Sequence, residues 1–170
     1  MSSPIVIANY NPQWPLLYEE EKSRIVGAIA QAVVAIEHVG STAVPGLGAK
    51  PIIDIMVAVR SLADAEACIE RLQSIGYEYV PEYEVFIPAR RYFRKWVQAE
   101  RTHQIHMVER TSEFWHRHLL FRDYLRSHSE VAQEYYQLKK ELAAKYSSDV
   151  GAYTDAKTPF IESVVAKALD

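Results

Sequence analysis

Gly40, Ser41 and Thr42 are followed by a turn-rich stretch with Pro45, Gly46 and Gly48, then by Lys50, and then by Asp54 inside an apolar run. These residue types can handle a phosphate. Gly40 has no Cβ and lets backbone approach a ligand closely, the hydroxyls of Ser41 and Thr42 can donate to phosphate oxygens, and Lys50 brings a compact positive charge. Asp54 could hold a divalent cation that bridges phosphates, with Mg²⁺ or Mn²⁺ as the expected ion. The same residues also suit a tight turn followed by a helix cap. The spacing matches neither a Walker A loop nor GxGxxG.

The histidines add a second source of ligands. His103 and His106 are three apart in a stretch whose Ile105, Met107 and Val108 favour a strand, so they point to opposite faces and only one can meet Asp54. His106 is the candidate, as a catalytic or metal-binding partner of Asp54. His38 sits beside the loop, where a structural hydrogen bond suits it as well as a ligand contact. No GxSxG elbow supports a Ser41, His38, Asp54 triad. The basic run Arg90 to Trp96 (RRYFRKW) alternates, with Arg91, Phe93 and Lys95 on one face and Arg90, Tyr92, Arg94 and Trp96 on the other. Arg91 and Lys95 are candidate phosphate contacts; a charged edge strand that resists aggregation is the competing reading.

The elements that must position these residues follow from periodicity. Leu16, Leu17, Ile25, Ile29 and Val33 recur at helical spacing with Glu19 to Lys22 opposite, which predicts a first amphipathic helix. Val34 to Val39 reads as a short strand entering Gly40-Ser41, and Ile52 to Val59 as a central strand covered on both faces. Ser61 or Asp64 can cap a helix with Leu62, Ala65, Ile69 and Leu72 on its buried stripe, stopped by Gly76. Strands are expected at Tyr77 to Val80, Arg91 to Val97 and His103 to Glu109. Helices are expected from Ser112 to Ser127, after a Ser129 cap, and from Tyr153 to Leu169, with Pro159 in the first turn of the last or kinking it. Tyr124, Tyr135, Tyr136 and Tyr146 at helical spacings fit packing better than a base-stacking platform. The result is an α+β fold, one mixed sheet packed by helices with a helical C-terminal third.

The chain has 170 residues, enough for one domain over 1–170. Its net charge of −3 gives no global field that would attract nucleic acid or an anionic membrane, so any anion site must be local. The single cysteine, Cys68, can form no internal disulfide and fits a reducing, cytoplasmic setting. The opening residues lack the basic and apolar regions of a signal peptide, and no apolar run is long enough to span a membrane. Substrate, acceptor and oligomeric state are not encoded in any local pattern.

Gly40-Ser41, twelve intervening residues (42–53) and then Asp54-Ile55 resembles the signature of the nucleotidyltransferase fold, in which the residue two after the first carboxylate is a second one. Here that residue is Met56, and a thioether is a poor ligand for Mg²⁺. More closely, the chain resembles the GrpB family, also called glutamate-rich protein B or UPF0157, through HVGSTAVPGLGAKPIIDI (38–55), RTHQIHMVE (101–109), LLFRDYLRSH (119–128) and YTDAKTPFI (153–161). The resemblance covers nearly all of the chain. It implies the nucleotidyltransferase-like fold and draws attention to Lys157, which otherwise reads as a solvated lysine one turn after Tyr153. It implies little about reaction, because the family has no generally established one; a related domain fused to dephospho-coenzyme A kinase in some bacteria hints at nucleotide metabolism. The expectation is a protein that binds a nucleotide or other phosphorylated small molecule. If it is catalytic, metal-dependent nucleotidyl or phosphoryl transfer is the implied reaction; the alternative is a non-catalytic ligand-binding or interaction module that has lost the two-metal site.

Overall fold

A computed structural model describes residues 4–170. Trp14–Ile29 forms α1, with Pro15 in its first turn where a missing amide costs nothing. Its buried stripe is Trp14, Tyr18, Glu21, Ile25 and Ile29, while Leu16 and Leu17 are exposed. The expected stripe therefore holds at Ile25 and Ile29 and is displaced at the start of the helix. Glu21 is wholly buried because partners wait for it: Lys95 Nζ at 3.0 Å, Tyr77 Oη at 2.8 Å and Arg24 Nη1 at 2.9 Å. A buried carboxylate without such partners would be strongly destabilising.

Five strands follow: β1 (Ala35–Val39), β2 (Ile53–Val59), β3 (Tyr77–Tyr79), β4 (Arg90–Val97) and β5 (Glu100–Glu109). They form one sheet in the order β1-β2-β5-β4-β3, in which β2 and β5 run parallel and all other pairs antiparallel. β4 and β5 meet in a tight hairpin turn whose Gln98 and Ala99 both have positive φ, as a twisted two-residue turn requires. The chain between β2 and β3 makes two short helices rather than one, α2 (Leu62–Ala67) and α3 (Ile69–Ser74), hinged at Cys68. Ser61 caps α2 by accepting from the Asp64 amide.

The C-terminal third is helical: α4 (Glu113–Ser127), capped by Ser112, then α5 (Ser129–Tyr146) and α6 (Val150–Leu169), capped by Asp149. Ser129 is the first residue of α5 rather than its cap. Because α6 starts at Val150, Pro159 lies inside it, where it removes one helical hydrogen bond.

Strand alternation sends β2 side chains to two different cores. Ile53, Ile55, Val57 and Val59 pack with Ile105, Met107 and Phe93 against α1, α2 and α3. On the other face, Met56 and Ala58 join Val39, Val108 and Trp115 beneath α4. A third cluster ties Val44 and Leu47 of the loop before β2 to Leu125, Val131, Tyr135 and Val164. Asp54 shares its face with Met56, so it opens toward the C-terminal helices.

Candidate functional site

Gly40 ends β1 with φ +74° and ψ −175°, a conformation open to glycine and costly for other residues. A Cβ at this position would lie 2.8 Å from Asp54 Oδ2, so glycine is also demanded by close approach. The loop is anchored from α4: Arg122 Nη1 donates to His38 O at 3.0 Å and Glu37 Oε2 at 2.8 Å, and Arg126 Nε donates to Ala43 O at 2.9 Å. Thr42 is buried, with its hydroxyl donating to Ile52 O at 3.1 Å and paired with His38 Nε2 at 2.9 Å. Its side chain holds the loop to the segment before β2, and His38 is part of the same brace, stacked on Tyr18. Burial pushes the His38 pKa down to about 4, so it braces the loop as a neutral ring. Ser41 also lines the cleft, with its side chain hydrogen-bonded to Tyr135.

Parallel pairing of β2 with β5 sets Asp54 beside Gln104 and Met56 beside His106. His106 Nε2 lies 2.5 Å from Asp54 Oδ1, and Arg90 Nη1 lies 3.2 Å from His106 Nδ1. Arginine has donors only, so in the neutral ring Nδ1 must accept and the proton sits on Nε2, aimed at Asp54. Gln104 is oriented by Tyr92, whose hydroxyl donates to Gln104 Oε1 at 2.6 Å, leaving the amide to bond Asp54. Burial alone would raise the Asp54 pKa; the electrostatic pull and hydrogen bond of the His106 N–H, helped by Gln104, outweigh it and hold the carboxyl below the usual range. Asp54 is therefore a fixed carboxylate.

Asp54 forms part of the wall of a cleft of about 280 Å³, lined also by Ser41, Lys50, Arg101, Lys139, Tyr153 and Lys157. Four elements or loops deliver the cations: the segment before β2, the start of β5, α5 and α6. Lys157 lies 4.4 Å from the Tyr153 ring centre and Lys50 lies 5.9 Å from it; Lys139 lies over Tyr135 at 4.8 Å and donates to Gly48 O at 2.6 Å. Desolvation, then the neighbouring charge of Lys157, pushes Lys139 down to about 7; desolvation, then Lys50, pushes Lys157 down to about 8, against the pull of Asp54. Lys50 is lowered by burial and Arg101. Among the described residues, none of these four cations has a carboxylate within 4.0 Å.

The structure thus brings together Gly40, Ser41, Lys50, Asp54, His106 and Lys157. It separates Arg91 and Lys95 from them. Both point to the α1 side of the sheet, Arg91 toward Glu66 and Glu84 and Lys95 toward Glu21, and this corrects their expected phosphate contacts. His103 also lies there, 3.8 Å from Glu21. Arg101, Gln104 and Lys139 line the site although no motif singled them out. Lys139 had one local sign: it falls on the same stripe of α5 as Val131, Ala132 and Tyr135.

The donor set does not fit the pair of divalent cations that the resemblance implies. The second-carboxylate position, Met56, is 0% exposed and packed among Val39, Ala58, Val108 and Trp115. The adjacent strand offers Gln104 and His106, and both His106 nitrogens are engaged, one by Arg90 and one by Asp54. Among the described residues, no group of three or more histidine, cysteine or acidic side chains is arranged to hold a metal. His106 thus stands in this structure as the hydrogen-bond partner of Asp54.

The family model described as GrpB protein matches residues 4–167. The UPF0157 protein YqkA of Bacillus subtilis is 40% identical over 96% of this chain and 47% of its own length, so the chain spans about half of that relative. The glutamate-rich protein GrpB of Alkalihalophilus pseudofirmus is 38% identical over 95% of this chain and 94% of its own. Among solved structures, GrpB of Enterococcus faecalis superposes with a TM-score of 0.87 at 35% identity, over 96% of this chain and 97% of that one. The Cid1 poly(U) polymerase, solved with MgGTP bound, superposes at a TM-score of 0.53 and 16% identity, over 81% of this chain and 44% of that one, a likeness of fold alone. With a nucleotidyltransferase-like sheet and these relatives, the chain belongs to the GrpB family.

Proposed function

We propose that the protein binds a nucleotide or another phosphorylated small molecule in the cleft beside Asp54. One observation carries this reading: Lys50, Lys139, Lys157 and Arg101 converge on one cavity in which Asp54 is the one lining carboxylate, and among the described residues none of the four has a carboxylate within 4.0 Å. Like charges gathered and partly buried in this way cost stability, and a bound phosphate relieves that cost. Ser41 and the glycine-allowed turn at Gly40 add a hydroxyl and a close backbone approach on the same side. The shared fold with Cid1 is consistent with a nucleotide ligand.

Catalysis would rest on Asp54 as a carboxylate held ionised and oriented by His106 and Gln104, placed to accept a proton from an acceptor hydroxyl. Transfer through two metals lacks its second ligand at Met56. Met56 favours the second reading, a binding module without transfer. Thermal shift with a panel of nucleoside triphosphates, with and without Mg²⁺, tests the common part. A shift that is lost in Lys157→Gln supports ligand binding in this cleft; no shift with any of them would sink it.

A further inference from the structure

Deepening that reading, we propose that the cleft is a metal-independent polyphosphate clamp: Lys50, Lys139, Lys157 and Arg101 supply the positive charge that divalent cations bring to two-metal sites, and the ligand carries at least two linked phosphates. Two independent observations meet here. The first is the loss of the metal donors. Met56 fills the position of a second carboxylate with buried thioether, the neighbouring strand contributes Gln104 and His106, and His106 spends its Nε2 on Asp54. The second is a gain of protein cations on the same cleft, each from a different part of the fold. A site with one carboxylate among several ammonium and guanidinium groups attracts polyphosphate itself, without a bridging ion.

The packing of the lysines sets the size of the ligand's charge. Lys139 is 2% exposed and meets one carbonyl, Gly48 O, and one ring, Tyr135, neither of which balances a full positive charge. Lys50 and Lys157 share the Tyr153 ring, which holds the two stems in place at the cost of bringing like charges together. Asp54 offsets one of the four charges. Once a bound polyanion has restored full charge to the lysines, the remaining three exceed what one phosphate monoester dianion neutralises, and they match a di- or triphosphate chain. A monophosphate would leave Lys139 or Lys50 unpaired.

Isothermal calorimetry with inorganic tripolyphosphate, in EDTA and again in excess Mg²⁺, tests the clamp on the wild-type chain and on Lys157→Gln, Lys50→Gln and Asp54→Asn. Circular dichroism melting confirms that each variant is folded. The clamp predicts binding in EDTA, tenfold or greater weakening in each lysine variant, and binding severalfold tighter in Asp54→Asn, because that change removes the one negative charge facing the probe. A metal-bridged site predicts the reverse for Asp54→Asn. Binding that requires Mg²⁺, or that disappears in folded Asp54→Asn, overturns the clamp and leaves the phosphorylated-ligand reading intact. Absence of tripolyphosphate binding in EDTA also overturns it. If, in addition, no nucleoside triphosphate shifts the melting temperature under either condition, the broader reading falls with it.

Discussion

A polyanion entering the lysine-lined cleft should draw protons from solution, and the number can be worked from the structure. With pKa values pushed to about 7 and about 8, Lys139 and Lys157 are roughly one quarter and three quarters charged at pH 7.5, together about one proton short of full charge. An adjacent phosphate raises a lysine pKa by about 1–3 units, which refills most of that deficit. The other groups facing the cleft do not cancel this. Asp54 is already held ionised, Tyr153 has its pKa raised by burial and stays protonated, and Lys50 is lowered and so adds uptake in the same direction. Uptake by the lysines should therefore approach about one proton per tripolyphosphate at pH 7.5, and it should be larger at pH 8.5 if the ligand raises each lysine by about 2 units or more, because the free lysines have lost more charge there. Calorimetry in two buffers of different ionisation enthalpy gives this number from the difference in apparent heat. A terminal phosphate oxygen of the probe also titrates near this pH and can give up a proton on binding, so the lysines' share is read as the difference between the wild-type chain and Lys157→Gln; an uptake unchanged in that variant would refute the placement of depressed lysines against the ligand.

Other perturbations test the frame around the cleft. Gly40→Ala puts a methyl 2.8 Å from Asp54 Oδ2 at φ +74° and should cost about 1–3 kcal/mol, seen as a fall in melting temperature and a loss of ligand-induced stabilisation. Met56→Asp recreates the carboxylate pair on paper, but it buries a charge among Val39, Ala58, Val108 and Trp115. The expected outcome in denaturant melts is destabilisation by about 3 kcal/mol or more, and a stable variant that gains Mg²⁺ binding would contradict the packing described for this face. Glu21→Ala leaves Lys95 and Tyr77 without their shared acceptor and should cost about 3–5 kcal/mol by urea unfolding, although Glu21 lies on the opposite face from the cleft.

Side-chain chemistry was legible in the sequence wherever a local rule fixed it. Alternation put the lone carboxylate Asp54 and the thioether Met56 on one face of β2, beside the loop glycine, and the odd spacing of His103 and His106 correctly sent them to different faces. Alternation also sorted Arg91, Phe93 and Lys95 from Arg90, Tyr92 and Arg94. It could not say which set looks toward Asp54, because that depends on how β4 docks on β5, and the register even shifts between Lys95 and Trp96. The same limit explains α1: Leu16 and Leu17 outrank Tyr18 and Glu21 in hydrophobicity, yet Glu21 is buried because Tyr77 and Lys95 arrive from strands far along the chain. Lys139 escaped notice for a related reason. A lysine on a helix is normally solvated, and only the neighbours supplied by other elements reveal this one as an inward-facing charge.

The cleft draws its charges from two separate stretches of chain. Its carboxylate belongs to β2, whereas Lys139 and Lys157 sit on α5 and α6, and the sheet is complete at Glu109 before either helix begins. A ribosome making the chain from its N-terminus finishes Lys50, Asp54 and Arg101 first, and Lys139 and Lys157 join them only as α5 and α6 emerge. The cleft's full set of cations is therefore complete only when the C-terminal helices have docked on the sheet, and its assembly marks the completion of the whole domain.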